Sequence, residues 1–216
     1  MRQNPSFAMT DVTELRRVIA QNPWATAVAV GDDGLVASHY PVLLDPDRDD
    51  LTVVGHVGKP DDQVLHLGER ELLLIFQGPN GYISPSWYGD VKAVPTWNYT
   101  AVHLAGIPEI VDTQANLKVL DDLVTHFERM LPQPRMMWQA PNDDGFVRAL
   151  EAGTIGFRMT PTRVSAKRKL SQNKPDGVVE TVIAELDGSG EYAHPALAAE
   201  MRRAHQARLA ARATVR

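Results

Sequence analysis

The spacing of strand-forming runs constrains this chain most. Ala25–Val30, Leu35–Leu44 and Leu51–Val57 are apolar or β-branched, and only short turn-forming stretches separate them. Gly31, Asp32, Asp33 and Gly34 make the first break; Asp45, Pro46, Asp47, Asp49 and Asp50 make the second. A parallel crossover needs about a dozen residues or more. Such neighbours must therefore pair antiparallel. Glu71–Gln77 reads as a further buried strand. Tyr99–Ile110 reads as another, bent or at an edge because of Gly106 and Pro108. Thr154–Met159 and Arg163–Leu170 return to strand character. So many strands with so few helices between them exclude a doubly wound sheet and favour a closed or partly closed barrel. The expected class is mainly β with flanking helices.

Three helices are expected around it. Asp11 and Glu14 have capping-box spacing ahead of Leu15, Val18 and Ile19, and Asn22-Pro23 ends that helix. Thr113–Leu131 carries Leu117, Leu120, Leu123, Val124 and Phe127 on one face, with Pro132 and Pro134 beyond it. The stretch from Pro195 to Arg216 is rich in alanine and arginine and also reads as helix. The expected organisation is one domain over residues 1–190 with a helical tail over 191–216.

Composition excludes several chemistries. The chain has no cysteine, so disulfides, thiolate metal sites, iron–sulfur clusters and a cysteine nucleophile are ruled out. No glycine-rich dinucleotide or P-loop pattern and no G-x-S-x-G elbow occurs. His39, His56, His66 and His103 are scattered, and no metal site is expected from them. No catalytic residue stands out. The opening residues lack an apolar core, and runs such as Leu72–Phe76 are too short to span a bilayer. A cytoplasmic chain without membrane contact is expected. The net charge of −5 opposes nucleic acid, so DNA binding is expected to be weak at most. The plausible DNA surface is the tail, with Arg202, Arg203, Arg208, Arg212 and Arg216.

Two segments concentrate unusual residues. Phe76–His103 holds Tyr82, Trp87, Tyr88, Trp97 and Tyr99, five of the chain's fourteen aromatic residues. Ser84, Ser86, Thr96 and Asn98 are interleaved with them, and Gly78, Pro79, Pro85, Gly89 and Pro95 keep much of the segment out of regular strand. Rings with hydroxyls and amides beside them suit a flat ligand with a polar rim; the same cluster would also serve as a core plug. Lys167–Lys174 (KRKLSQNK) has four cations and no anion. It suits a phosphate or a carbonyl edge, or a solvated edge strand guarded by lysines. A third stretch, Gly55, His56, Val57, Gly58 and Lys59, combines small residues with a cation at a strand end.

Read together, the segments FQGPNGYISPSWY (76–88), VPTWNYTAVH (94–103) and KLSQN (169–173) resemble the PaiB-like, FMN-binding negative transcriptional regulator family. Ala37–Pro41 and Gly55-His56 are weaker echoes. The resemblance implies a split β-barrel of the FMN-binding type and a homodimer with flavin between subunits. It implies cofactor contacts from His56, Lys59, Ser84, Ser86, Trp87, Tyr88, Thr96, Trp97, Asn98, Lys169, Ser171, Gln172 and Asn173. It also implies a negative regulatory role or a flavin-based sensor. A flavin-dependent oxidoreductase, a barrel that has lost its cofactor, and a haem protein are the alternatives. One stretch departs from the family pattern: Val57–Val64 reads VGKPDDQV, where relatives carry an Ala-Arg-Ala-Asn-Pro-like run. Asp61 and Asp62 repel a phosphate there and Lys59 attracts one, which implies lowered FMN affinity.

Overall fold

The computed structural model of the chain describes residues 1, 4–90 and 92–214. In chain order the elements are α1 (Val12–Gln21), β1 (Trp24–Gly31), β2 (Gly34–Leu44), β3 (Val53–Gly58), the single turn α2 (Asp61–Val64) and β4 (Leu72–Ile83). A 3-10 turn (Pro85–Tyr88) leads to β5 (Thr96–Gly106), β6 (Glu109–Ile110), α3 (Thr113–Glu128) and α4 (Asp144–Ala152). β7 (Thr154–Met159), β8 (Arg163–Lys169), α5 (Asp176–Asp187) and α6 (Pro195–Thr214) complete the chain. The strands form one eight-stranded sheet in the order β6-β7-β3-β2-β1-β4-β5-β8. β1–β2, β1–β4, β2–β3, β3–β7 and β6–β7 are antiparallel, as the short connections require.

The chain divides into two compact units. Asp11–Phe76 and His103–Val164 form one; Met1–Thr10, Gln77–Val102 and Ser165–Arg216 form the other. β4, β5 and β8 contribute residues to both.

In the larger unit, Asp11 caps α1 through its carboxylate, which accepts from the Thr13 and Glu14 amides. Leu15, Val18 and Ile19 are buried as their spacing demands. Asn22 closes the helix by donating its side-chain amide to Val18 O at 2.8 Å. α3 differs from expectation. It ends at Glu128, and its buried face is Asn116, Val119 and Leu123, while Phe127 is exposed. The seam is disguised by a polar residue: Asn116 donates to Glu151 Oε1 at 3.2 Å and Thr154 Oγ1 at 3.1 Å. Val119 and Leu123 pack on Leu43 and Val54. The expected strand Tyr99–Ile110 is two strands, because Pro108 has no N–H to offer a ladder.

In the smaller unit, β4 runs on through Gly78, Pro79 and Gly81 to Ile83. The expected irregularity is therefore confined to the stretch between Ile83 and Thr96. α5 and α6 pack together. Val179, Val182, Ile183 and Leu186 of α5 share a core with Leu197, Ala198 and Met201 of α6, and with Ile83, Tyr88 and Leu170. The helix of the C-terminal tail thus buries its first half. Among the described residues, no helix is long and apolar enough to cross a membrane.

Candidate functional site

The smaller unit holds a cavity of about 520 Å³ lined by Phe7, Tyr88, Lys92, Ala93, Val94, Thr96, Asn98, Lys169, Ser171, Asn173 and Lys174. That volume lies within the usual range for small-molecule sites, roughly 300–1,000 Å³. Among the described residues, three lysines line it and no carboxylate does.

Each wall has a local cause. Along β5 side chains alternate, so Thr96 and Asn98 face the cavity, while Trp97 between them is 55% exposed. β8 delivers Lys169, whose ammonium donates to Thr96 Oγ1. Burial and then the neighbouring Lys167 and Lys174 ammonium groups hold the Lys169 pKa below the ordinary lysine value. After β8 the backbone turns sharply at Ser171, whose φ of 60° is unusual for a residue with a side chain. Asn98 Nδ2 donates to Ser171 Oγ at 2.9 Å, and the Lys174 amide donates to Ser171 O at 2.9 Å. Lys174 lies with Nζ 5.1 Å from the centroid of the Tyr88 ring, within cation–π range.

Gln172 shapes this turn. Its Oε1 accepts from the Leu170 amide at 2.7 Å, and its Nε2 donates to Ser6 O at 3.1 Å and to Arg168 O at 2.5 Å. Arg208 of α6 braces the turn from behind. It donates to Gln172 O at 2.6 Å, to the Asp176 carboxylate, and to His205 Nδ1 at 3.0 Å. The N-terminal segment runs alongside β8, with Ala8 bridging Lys167 and the Arg168 amide donating to Phe7 O at 2.8 Å. Phe7 reaches the cavity this way.

Of the residues singled out by sequence, Tyr88, Thr96, Asn98, Lys169, Ser171 and Asn173 meet at this cavity. Ser84 and Ser86 pair through their hydroxyls at 2.7 Å, and Ser84 Oγ caps the 3-10 turn by accepting from the Ser86 amide. Trp87 packs against the α5–α6 core. His56 and Lys59 belong to the larger unit. Burial lowers the His56 pKa, and its Nδ1 is buried without a partner. Lys59 Nζ donates to Ala152 O at 2.8 Å. Beside it, Asp61 accepts from the Tyr40 hydroxyl at 2.6 Å; burial, then that bond, push the Tyr40 pKa up to about 12.

Phe7, Lys92 and Arg208 were not found by sequence reasoning. Phe7 lies far along the chain from its neighbours, and Arg208 looked like one of several surface arginines. Those arginines are paired: Arg202 with Asp187 at 2.8 Å, Arg203 with Glu200 at 3.0 Å, and both Arg208 and Arg212 with Asp176. Arg216 lies outside the described residues.

Residues 1–163 match the family described as "Putative FMN-binding domain". The chain is 29% identical over 182 residues to the protease synthase and sporulation protein PAI 2 of Bacillus subtilis, covering 83% of this chain and 86% of that protein. Among solved structures, the FAD and haem binding protein of Mycobacterium smegmatis superposes with a TM-score of 0.56 at 18% identity, over 85% of this chain and 80% of that one. The flavocytochrome Anf3 of Azotobacter vinelandii gives a TM-score of 0.58 at 14% identity, over 78% and 72%. The fold is a split β-barrel with flanking helices.

Proposed function

The chain belongs to the PaiB-like family of FMN-binding domains, and on that premise we propose that its lysine-lined cavity holds FMN and that the protein acts as a flavin-based sensor in negative regulation. One observation carries the reading: Lys92, Lys169 and Lys174 converge on one cavity with aromatic and apolar walls and, among the described residues, no carboxylate. Such cations suit a phosphate dianion, and Tyr88, Phe7 and Val94 suit a flat ring. The residues fit the group on a second ground as well, since a buried polar atom of the cavity wall, Asn98 Oδ1, has no partner.

Bound FMN supplies reversible electron transfer. The chain's own residues bind and orient. Lys169 and Lys174 offset the phosphate charge. Asn98, Ser171 and Asn173 hold the polar rim. Gln172 and Arg208 act at one remove by fixing the turn that carries Ser171.

Direct reading of DNA by α6 is disfavoured. Arg202, Arg203, Arg208 and Arg212 already face carboxylates, which leaves little unpaired charge on α6, among the described residues, for phosphates. Two copies are proposed to pair through the strip around Trp97 and Val94, which are 55% and 74% exposed.

Titration of the purified protein with FMN, followed by visible absorbance and flavin fluorescence, tests the central reading. Saturable, stoichiometric binding with a shifted spectrum is expected. No saturation at millimolar FMN would refute it. Steady-state NAD(P)H turnover by the loaded protein would replace the sensor with an oxidoreductase. Nanomolar, sequence-specific gel shifts at physiological salt would restore a DNA-reading role, and a stable monomer in sedimentation would remove the pairing.

A further inference from the structure

We infer that Asn98 is a specificity-determining residue: its carboxamide oxygen is held ready to accept a hydrogen bond from an N–H or O–H group on the uncharged part of the ligand. The inference rests on the cavity being the FMN site, and it names what that site reads beyond the phosphate.

Asn98 is fully buried, at 0% exposure, yet it lines the cavity. Its nitrogen is spoken for. Nδ2 lies 2.9 Å from Ser171 Oγ and 3.4 Å from Met201 Sδ. A thioether sulfur can only accept. The amide must therefore put its nitrogen toward Met201, because the flipped form would set two acceptors against each other. The oxygen is thereby fixed on the other side, and it is buried with no hydrogen-bond partner. The large majority of buried side-chain polar atoms have a hydrogen-bond partner, and each exception calls for a cause.

The neighbouring cations do not supply the missing donor. Lys169 donates to Thr96, and Lys174 sits over the Tyr88 ring. Nor can a phosphate supply it, because a phosphate dianion offers only acceptor oxygens. The division of labour follows from this chemistry. The lysines take the anionic end of the ligand, and Asn98 takes a donor elsewhere on it. A phosphate monoester whose remainder carries an N–H or O–H is accepted; one without such a donor leaves Asn98 Oδ1 unpaired and is rejected. In FMN the donors are the ring imide N–H and the hydroxyls of the ribityl chain.

The shape of the surroundings supports a sensing role for this atom. Ser171, which receives the Nδ2 bond, is itself held in a left-handed turn. Met201 belongs to α6 and is buried in the α5–α6 core. The carboxamide is thus oriented by two groups that cannot easily move, as a pre-organised reader must be.

The test compares wild type with Asn98→Leu, which keeps the branched shape of the side chain and removes the acceptor together with the Nδ2 donor to Ser171. FMN binding is titrated, and inorganic phosphate is measured as a competitor that meets the lysines alone. Expected is a roughly tenfold rise in the FMN Kd with the phosphate inhibition constant unchanged, one hydrogen bond to a buried acceptor being at stake. An unchanged FMN Kd overturns the inference and leaves the site reading standing. Equal weakening of FMN and phosphate assigns Asn98 to structure and overturns it too. Failure of wild type to bind FMN at all overturns the site reading itself. N3-methylated FMN identifies the source of the donor: loss of affinity in wild type that vanishes in Asn98→Leu selects the imide, and equal binding of both flavins by wild type selects the ribityl hydroxyls. Should the variant not fold, the ¹³C resonance of the Asn98 side-chain carbonyl in wild type decides. A downfield move on saturation with FMN is expected, and an unmoved resonance overturns the inference.

Discussion

Replacing Lys169 with Met should weaken ligand binding and at the same time stabilise the empty protein. Lys169 Nζ donates to Thr96 Oγ1 at the cavity wall, and its pKa is held down by burial first and by Lys167 and Lys174 second. A charge-assisted hydrogen bond to a phosphate contributes about 1.5–3 kcal/mol, so Lys169→Met should raise the FMN Kd by roughly 10- to 150-fold. The stability effect has the opposite sign. At neutral pH the folded state must carry a proton that its surroundings disfavour, whereas the unfolded chain carries it freely. As pH rises through the lowered pKa toward the ordinary value near 10.5, the folded state sheds its proton first and stability recovers. Lys169 is only half-buried, so solvent screening limits the gain in Lys169→Met to about 1 kcal/mol or less. That corresponds to a rise in Tm of at most about 2–4 °C for a chain of this size. Thermal melts of the apo protein and FMN titrations between pH 7 and pH 10 measure both effects. Wild-type affinity should fall as pH rises through the lowered pKa, while that of Lys169→Met should follow only the ligand. A variant that binds FMN as tightly as wild type removes Lys169 from the site. A variant whose Tm drops by several degrees shows that the Thr96 bond outweighs the repulsion.

Three further outcomes are expected. Leu197→Ala should cost about 2–5 kcal/mol in chemical denaturation, because Leu197 is fully buried in the α5–α6 core; a loss below about 0.5 kcal/mol would mean that the C-terminal helix is not part of that core. Gly156→Ala should destabilise the larger unit by about 1–3 kcal/mol, since a Cβ there would lie 2.5 Å from Asn116 Oδ1 and 2.8 Å from Val111 Cγ2; a neutral substitution would show that Asn116 can move aside. Arg208→Ala should weaken FMN binding by several-fold in calorimetry although it touches no cavity atom, and Arg208→Lys should restore it only partly, because a single ammonium cannot serve Gln172 O, Asp176 and His205 together; full binding by Arg208→Ala would separate α6 from the site.

The strands were legible because their information is local. Turn residues at Gly31–Gly34 and Asp45–Asp50 force the chain back on itself, and the resulting β1–β2 pairing carries Trp24 opposite Pro41 and Gly31 opposite Gly34. β7 was legible to the residue, and Asp11 caps α1 as its spacing required. Elements whose evidence is not local were misread or missed. The buried face of α3 includes Asn116, whose partners Glu151 and Thr154 are far along the chain; a hydrophobic count alone finds Leu123 but rotates the face toward Phe127, which is exposed. α5 follows Pro175 and buries Val179, Val182, Ile183 and Leu186 at helical spacing, a pattern present in the sequence directly after the more conspicuous lysine run. β4 continues through Pro79 because a proline costs a strand only the ladder bond its missing N–H would have made.

The cavity shows the same division more sharply. Residue type pointed to Thr96, Asn98, Lys169 and Ser171, because hydroxyls, amides and cations close to aromatic rings are what a phosphorylated flat ligand needs. Residue type could not say which of the neighbouring polar groups are free to meet a ligand and which are spent on holding the turn. Gln172 and Asn98 carry the same carboxamide. The three bonds of Gln172 are all to backbone groups, so it builds the turn: both its N–H groups and its oxygen are engaged there. The nitrogen of Asn98 is used in the same way, but its oxygen is not. The difference arises from Met201 and Ser171, which lie 103 and 73 residues away in the chain. A donor-and-acceptor inventory of the folded cavity therefore separates reader from scaffold where the motif K-L-S-Q-N treats them alike. It also explains why an arginine on α6, outside every motif, bears on the site: whatever fixes the turn at Ser171 fixes the direction in which the Asn98 oxygen waits.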